Sequence, residues 1–281
     1  MNTIARLFGK RASLKPHGFG VEIELEGIDK RVRNIPLWHD EFDGSLRDNG
    51  REFIFDGVYD LDDSKKALLQ LKDAFKVAGL KPKATNLTST HIHIDVRNFN
   101  VVQLKSFVAA IMMVEHDLAL NSGQDRDNNY FALSTSVSDH RKRELVKVRT
   151  DEQFKEFIIE QVRRDHRYSG INFNSIHEHG SLEMRYLGGQ ANPLNVMPWL
   201  VFYANLKDLV LKGIDFDALF ASVSLRGTKE VEEVFKPPFP LTQGGLLEGI
   251  RNAQDFVYSL EYRVLTAEEN GNGLAEYFNK N

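Results

Sequence analysis

The 281-residue chain contains no cysteine. That excludes disulfide frameworks, zinc–thiolate centres and thiol nucleophiles, and it leaves the redox compartment undetermined. No apolar run approaches the roughly 18 residues that a membrane span needs. Neither sign of charge dominates: 36 Lys and Arg stand against 40 Asp and Glu, a net charge of −4. This balance gives no general argument for nucleic-acid binding, and neither nucleic acid nor membrane is an expected partner. There is no internal repeat and no low-complexity tract. The first sixteen residues carry Arg6, Lys10, Arg11 and Lys15 with no acid, and they lack both an apolar core and a cleavage-like site. A secretory signal is therefore not expected, and cytoplasmic is the default location. The rest is ordinary for a globular protein, with 42% hydrophobic and 27% charged residues.

What is present is alternation. In Gly20–Gly27 (GVEIELEG), Glu22, Glu24 and Glu26 oppose Val21, Ile23 and Leu25. In THIHIDV, His91, His93 and Asp95 oppose Ile92, Ile94 and Val96. Tyr168–Gly189 reads as two strands joined by a short polar turn. Glu183 and Arg185 share a face there, and so do Asn172 and Asn174. A side-chain period of two makes each stretch a strand with one apolar face. Solvated outer faces carry Thr, Ser, Lys and mixed charge. These faces carry Glu, His, Asn and Arg, with no Lys. Paired in one sheet, the carboxylates sit roughly 5 Å apart. Each like-charge pair then costs on the order of 3 kcal/mol at an effective dielectric of about 20. Protonation or bound cations must relieve that repulsion.

The remaining elements follow in order. REFIF puts Phe53 and Phe55 on one side, and Glu52 and Ile54 on the other. Asp43-Gly44-Ser45 marks a turn. Helices are expected over 60–78, where Gly79 supplies the stop, and over about 101–120, 151–164 and 193–212. The chain beyond Gly213 is helical with breaks. PPFP from Pro237 is the clearest linker candidate, and a final helix runs from about Leu246 to Leu265. Arg141 opens the basic segment RKRELVKVR, which reads as a solvated helix face or a phosphate-facing lid. Strands and helices mix without regular βαβ alternation. The expected fold is α+β, a mainly antiparallel sheet with helices on its apolar face and an open polar face.

Each motif alone is weak, since alternating Glu or an E-x-R pair has simple structural explanations. Their joint occurrence with Asp43 and Glu52 is more informative. Hard oxygen donors in this number suit Mg²⁺ or Mn²⁺ rather than zinc. Arg185 beside Glu183 adds a fixed cation for phosphate or carboxylate.

GVEIELEG, then DGSL, REF, HIHI and SLEMRYLGG in this order resemble the amidoligase family, which comprises carboxylate–amine ligases. Their fold is like that of glutamine synthetase and glutamate–cysteine ligase. The ordered match runs from Gly20 to Gly189, and the helix bearing Trp199 is also similar. The resemblance implies that ATP phosphorylates a carboxylate and that an amine attacks the acyl phosphate. It implies Glu22, Glu24, Asp43, Glu52, His91 and Glu183 as metal ligands. Glu22, Glu24, Arg185 and Arg126 would bind nucleotide, and Arg185, Arg167, His93 and Asn172 would be catalytic. ATP and Mg²⁺ (or Mn²⁺) are the implied cofactors. A small-molecule amine and carboxylate, such as an amino acid or peptide, are the implied partners, with oligomerisation left open. The absence of a glycine-rich phosphate loop fits a metal-dominated nucleotide site. FIFDG after Glu52 departs from the Ser-Pro usual in the family, which bears on the adjacent loop. The expected organisation is a flexible basic arm over 1–16, a catalytic domain over 17–224, and a helical extension over 225–281 packed on the same domain. Two alternatives remain: a two-metal phosphoesterase or nuclease, and a non-catalytic ATP- and metal-binding module.

Overall fold

The alternating stretches pair into one six-stranded sheet. The structure is a computed structural model that describes residues 2–28, 32, 35–123, 144–164 and 169–257. The strands are β1 (Phe19–Leu25), β2 (Trp38–Phe42), β3 (Arg51–Phe55), β4 (Thr90–Asp95), β5 (Ile171–Asn172) and β6 (Ser181–Met184). Their order is β2-β3-β1-β4-β6-β5, and every neighbouring pair is antiparallel. The protein is α+β, as the mixed pattern predicts.

One face of the sheet builds the core. Phe19, Val21, Ile23 and Leu25 of β1 are buried, as are Phe53 of β3, Ile92 and Ile94 of β4, and Leu182 and Met184 of β6. Helix α1 (Ile4–Leu7) lies at one end. Helices α2 (Leu61–Ala78) and α3 (Val101–Asn121) supply much of the covering layer. Helix α2 is capped by the Asp60 side chain and stopped by Gly79 in the left-handed region. Phe75 of α2 meets Phe53 edge-on at 5.1 Å, and Trp38 Nε1 donates to the Ala67 carbonyl. Helix α3 is buried nearly all round, so IMMV is core packing, and Tyr186 donates to its Glu115. Helix α4 (Asp151–Arg163) follows.

Two expectations about the centre of the chain change. The connection between β5 and β6 is a short helix, α5 (Asn174–Glu178), not a polar turn. Asn174 therefore begins a helix instead of sharing a strand face with Asn172. The Asn172 side chain accepts from the Asn174 amide, which folds the chain over as soon as the short strand ends. The basic N-terminal segment, read as a free arm, lies against the domain over its described residues. Ile4 is fully buried, its amide donates to Phe99, and Ala5 donates to Arg97. The charge pattern missed this because Ile4 and Leu7 are the anchoring groups.

Beyond the sheet, a 3₁₀ turn (Pro193–Val196) leads into α6 (Met197–Leu211). Pro198 sits in its first turn, where no amide hydrogen is needed. Then come α7 (Phe216–Arg226), α8 (Thr228–Phe235) and α9 (Gln243–Val257). PPFP is not a free linker, since Phe239 packs against Trp199 at 5.4 Å and Phe202 at 5.8 Å. Helix α9 lies close along α3. A Cβ on Gly249 would come within 2.2 Å of the Met113 carbonyl oxygen, and one on Gly245 within 2.7 Å of Asp117. Asp117, itself buried, accepts from both the amide and the hydroxyl of Thr242 at the start of α9. The rest of the final helix expected to Leu265 lies outside the described residues, as do Arg141 and its two successors in the basic segment. Leu145 and Val148 of that segment enter the core.

Candidate functional site

Register turns the polar face into a site. Glu22 lies opposite His91, and Glu24 opposite Glu52. His93 and Asn172 lie on either side of Glu183. A slip of one residue in any strand would send its ligand types into the core.

His91 stands at the centre. Its Nδ1 lies 3.0 Å from Glu22 Oε2 and 3.6 Å from Glu183 Oε1. Its Nε2 lies 2.8 Å from Ser89 Oγ and 4.0 Å from Glu24 Oε1. Two clusters result, Glu22–His91–Glu183 and Glu24–Glu52–His91, each with ligand atoms within 4.8 Å of one another. Five of the six expected metal ligands thus converge. Asp43 stays outside both clusters. Its Oδ1 accepts from the Ser45 amide in the turn after β2, while its charge still acts on Glu52. Glu26 shares the acidic face of β1 but is used structurally, accepting from the Arg47 amide.

The supporting contacts are extensive. Ser89 donates to Glu24 through both its amide (2.7 Å) and its hydroxyl (2.5 Å). His93 spans Glu22 (3.1 Å) and Ser181 (3.1 Å). Glu183 accepts from Asn172 at 2.5 Å and Ser175 at 3.0 Å on one oxygen, and from Arg185 Nη1 at 2.5 Å on the other. The Arg185 Nε is buried without a hydrogen-bond partner, so its fork is only partly used. Asn172 reaches the site through Glu183 and is a positioning residue. Arg126 and Arg167 lie outside the described residues. The serines were not singled out from the sequence. Ser89 had a signal, because Ser89, His91 and His93 keep the period of two. Ser175 had none, since the helix that presents it was read as a turn.

The electrostatics is divided. Burial would raise Glu22, but hydrogen bonds and charge from His91 and His93 hold it well below the usual carboxylate range. Burial would likewise raise Glu183, and the charges of His91, His93 and Arg185 outweigh it, leaving the group lowered. Burial would lower His93, yet Glu22 brings it above the ordinary histidine value. Glu52 goes the other way. Burial, then the charges of Glu22, Glu24 and Asp43, push it up to about 8.

An antiparallel sheet with a helical layer on one face and a carboxylate–imidazole trough on the other defines an α+β protein with a site suited to hard cations and phosphate oxygens. A sequence profile of the family described as "putative amidoligase enzyme" matches residues 55–207, more than half of the chain, and the chain belongs to that family. The family supports an enzyme of ligase type. No curated protein matches the chain. The matched segment contains His91, Glu183 and Arg185 but begins after Glu22, Glu24 and Glu52. The sheet register brings those three acids to His91 independently of the match.

Proposed function

We propose that the protein is an ATP-dependent carbon–nitrogen ligase that joins a carboxylate to an amine through an acyl phosphate. The observation that carries this reading is the pair of carboxylate–imidazole clusters sharing His91, with Arg185 at their edge.

The residues fit divalent cations. Four carboxylates and one imidazole are hard or borderline donors, and burial together with the surrounding like charges raises Glu52 to about 8. Glu22, His91 and Glu183 would hold one Mg²⁺ or Mn²⁺, leaving Glu24 and Glu52 beside them for a second, since a neutral imidazole offers a lone pair to one ion only. Bound there, the ions would neutralise phosphate oxygens and orient the nucleotide. The chain's own groups do the rest. Glu22 and Glu183 remain ionised because the histidines and Arg185 favour their charged forms. Ser89, Asn172 and Ser175 fix carboxylate rotamers, so little reorganisation is left for the reaction. Arg185 presents a guanidinium whose Nε is unsatisfied, and a phosphoryl oxygen would satisfy it. His93, hydrogen-bonded to Glu22 and Ser181, keeps a fixed orientation at the trough's edge and faces the substrate carboxylate or phosphate.

The test is ADP formation from ATP with Mg²⁺, screened over amino acids and short peptides as carboxylates and over a panel of amines. Ligase activity requires both a carboxylate and an amine. Phosphodiester hydrolysis without ATP would instead make the trough a phosphoesterase site. Nucleotide and metal binding without turnover would make the protein a binding module.

A further inference from the structure

At one end of the trough a cavity of about 210 Å³ opens, sharing Glu22 and His93 with the acidic site. Two features of sequence make it. Gly20 occupies the position on β1 that faces the trough, two residues before Glu22. A Cβ there would lie 3.3 Å from the His93 Cβ, and any longer side chain would project into the space. Ile54 is the second feature. It sits opposite Glu22 in register, so it is an apolar side chain on the ligand-bearing face, and it lines the cavity with Val58. Alternation alone does not explain an isoleucine there.

The charge of the lining is also uneven. Arg97 is committed to Asp95 through two bonds of 2.9 and 2.7 Å. Asp56 remains on the wall facing His39, and Glu22 meets His91 and His93 as well as the neighbouring Glu52. Among the described lining residues no Lys or uncommitted Arg balances them. At the Asp56 end, away from His93, a carboxylate or phosphate would be repelled and an ammonium attracted.

We propose that this cavity receives the amine partner of the ligation and selects a small primary amine carried on an apolar stem. The inference rests on the ligase reading above. The ammonium would lie against Asp56, which belongs to neither metal cluster, with its stem against Ile54 and Val58. Gly20 leaves room for it beside the acidic site, where the carboxylate would be activated. In the transfer the nitrogen forms the C–N bond as the acyl C–O bond to phosphate breaks. Phosphate leaves with the electron pair, and the ammonium sheds two protons to solvent.

The full chain would be titrated with n-butylamine, 1-butanol and butyrate in saturating Mg²⁺, with binding read by ligand-observed NMR. Butylamine should bind at least tenfold more tightly than either control. Gly20→Val should weaken it at least tenfold and Asp56→Asn at least fivefold. Gly20→Ala, which needs no left-handed backbone and adds one methyl 3.3 Å from the His93 Cβ, serves if the valine variant fails to fold, and should weaken binding at least threefold. Preferential butyrate binding, or equal butylamine binding in wild type and the variants, would each overturn the proposal. Hydroxylamine, which needs no stem pocket, separates this from the ligase reading. ADP formation with hydroxylamine and a carboxylate, but no butylamine binding, would retain the ligase and reject the amine cavity. Butylamine binding at Gly20, with no ADP from any carboxylate, would reject the ligase and leave an ammonium site without that reaction.

Discussion

The two faces of the sheet come from the same strands, one residue apart, yet obey opposite rules. On the helix-covered face, Ile23, Phe53 and Ile94 are buried among apolar neighbours, and each gains from leaving water. On the other face Glu22, Glu24, Glu52 and Glu183 crowd a histidine; Glu22 and Glu183 stay low beside their cationic partners, while burial and like charges raise Glu52 to about 8. The first face makes the fold stable. The second is held in an unfavourable arrangement by the first, as a site preorganised for cations must be.

Substitutions should separate the two. Truncating Phe107 or Phe202 to Ala removes a fully buried ring and should cost about 3–5 kcal/mol in chemical denaturation. A near-wild-type unfolding midpoint for either would mean that the layer is not packed as described. Next in size is Arg185→Lys, which keeps the charge but loses the planar fork. It should slow acyl-phosphate formation about a hundredfold or more, roughly 3 kcal/mol of transition-state stabilisation, with the melting temperature unchanged. A full pre-steady-state ADP burst in this variant would reduce the Arg185–Glu183 pair to a structural ion pair.

Glu52 tests the cost of the polar face. Its folded value, about 8, exceeds the model-peptide value of 4.5, so between these pH values the folded state holds a proton that the unfolded state has lost. Stability from this group is complete below pH 4.5 and declines as pH rises through about 8. Without metal, the wild type should therefore lose stability from pH 5 to 8 relative to Glu52→Gln. A flat difference in melting temperature across that range would contradict the shift. Smallest in effect on the fold, Glu24→Gln should weaken Mn²⁺ binding several-fold while the unfolding midpoint stays level or rises, whereas Glu22→Gln should weaken it as well but lower the midpoint, because His91 and His93 favour the ionised Glu22. Calorimetric titration showing unchanged affinity in both would remove the metal assignment.

Most of the sheet was legible because period two and ligand residue types coincide in the same stretches. Leu68, Leu71, Phe107, Ile111, Trp199 and Phe202 lie within the expected helices, and all are buried. The convergence of Glu22, Glu24, Glu52, His91 and Glu183 needed only a common sheet. Local hydrogen bonding decided what was missed. The Asx contact of Asn172 with Asn174 starts a helix that periodicity over five residues cannot announce. Ser175 enters the site from that helix. Asp43 was read by its type, but its turn claims one oxygen. The N-terminal segment was read by its charge, while two apolar residues determine where it lies.

The glycine contacts between α9 and α3 carry a consequence for how the molecule opens. Backbones that approach so closely at Gly245 and Gly249, with Thr242 tied to the buried Asp117, cannot separate by a small displacement. Helix α9 must leave as a unit, and its departure would uncover the length of α3. The described part of the C-terminal extension should therefore unfold together with the sheet as one cooperative unit. Amide hydrogens in the middle of α9 should exchange with those of α3, at the rate of global unfolding, not at that of a fraying end.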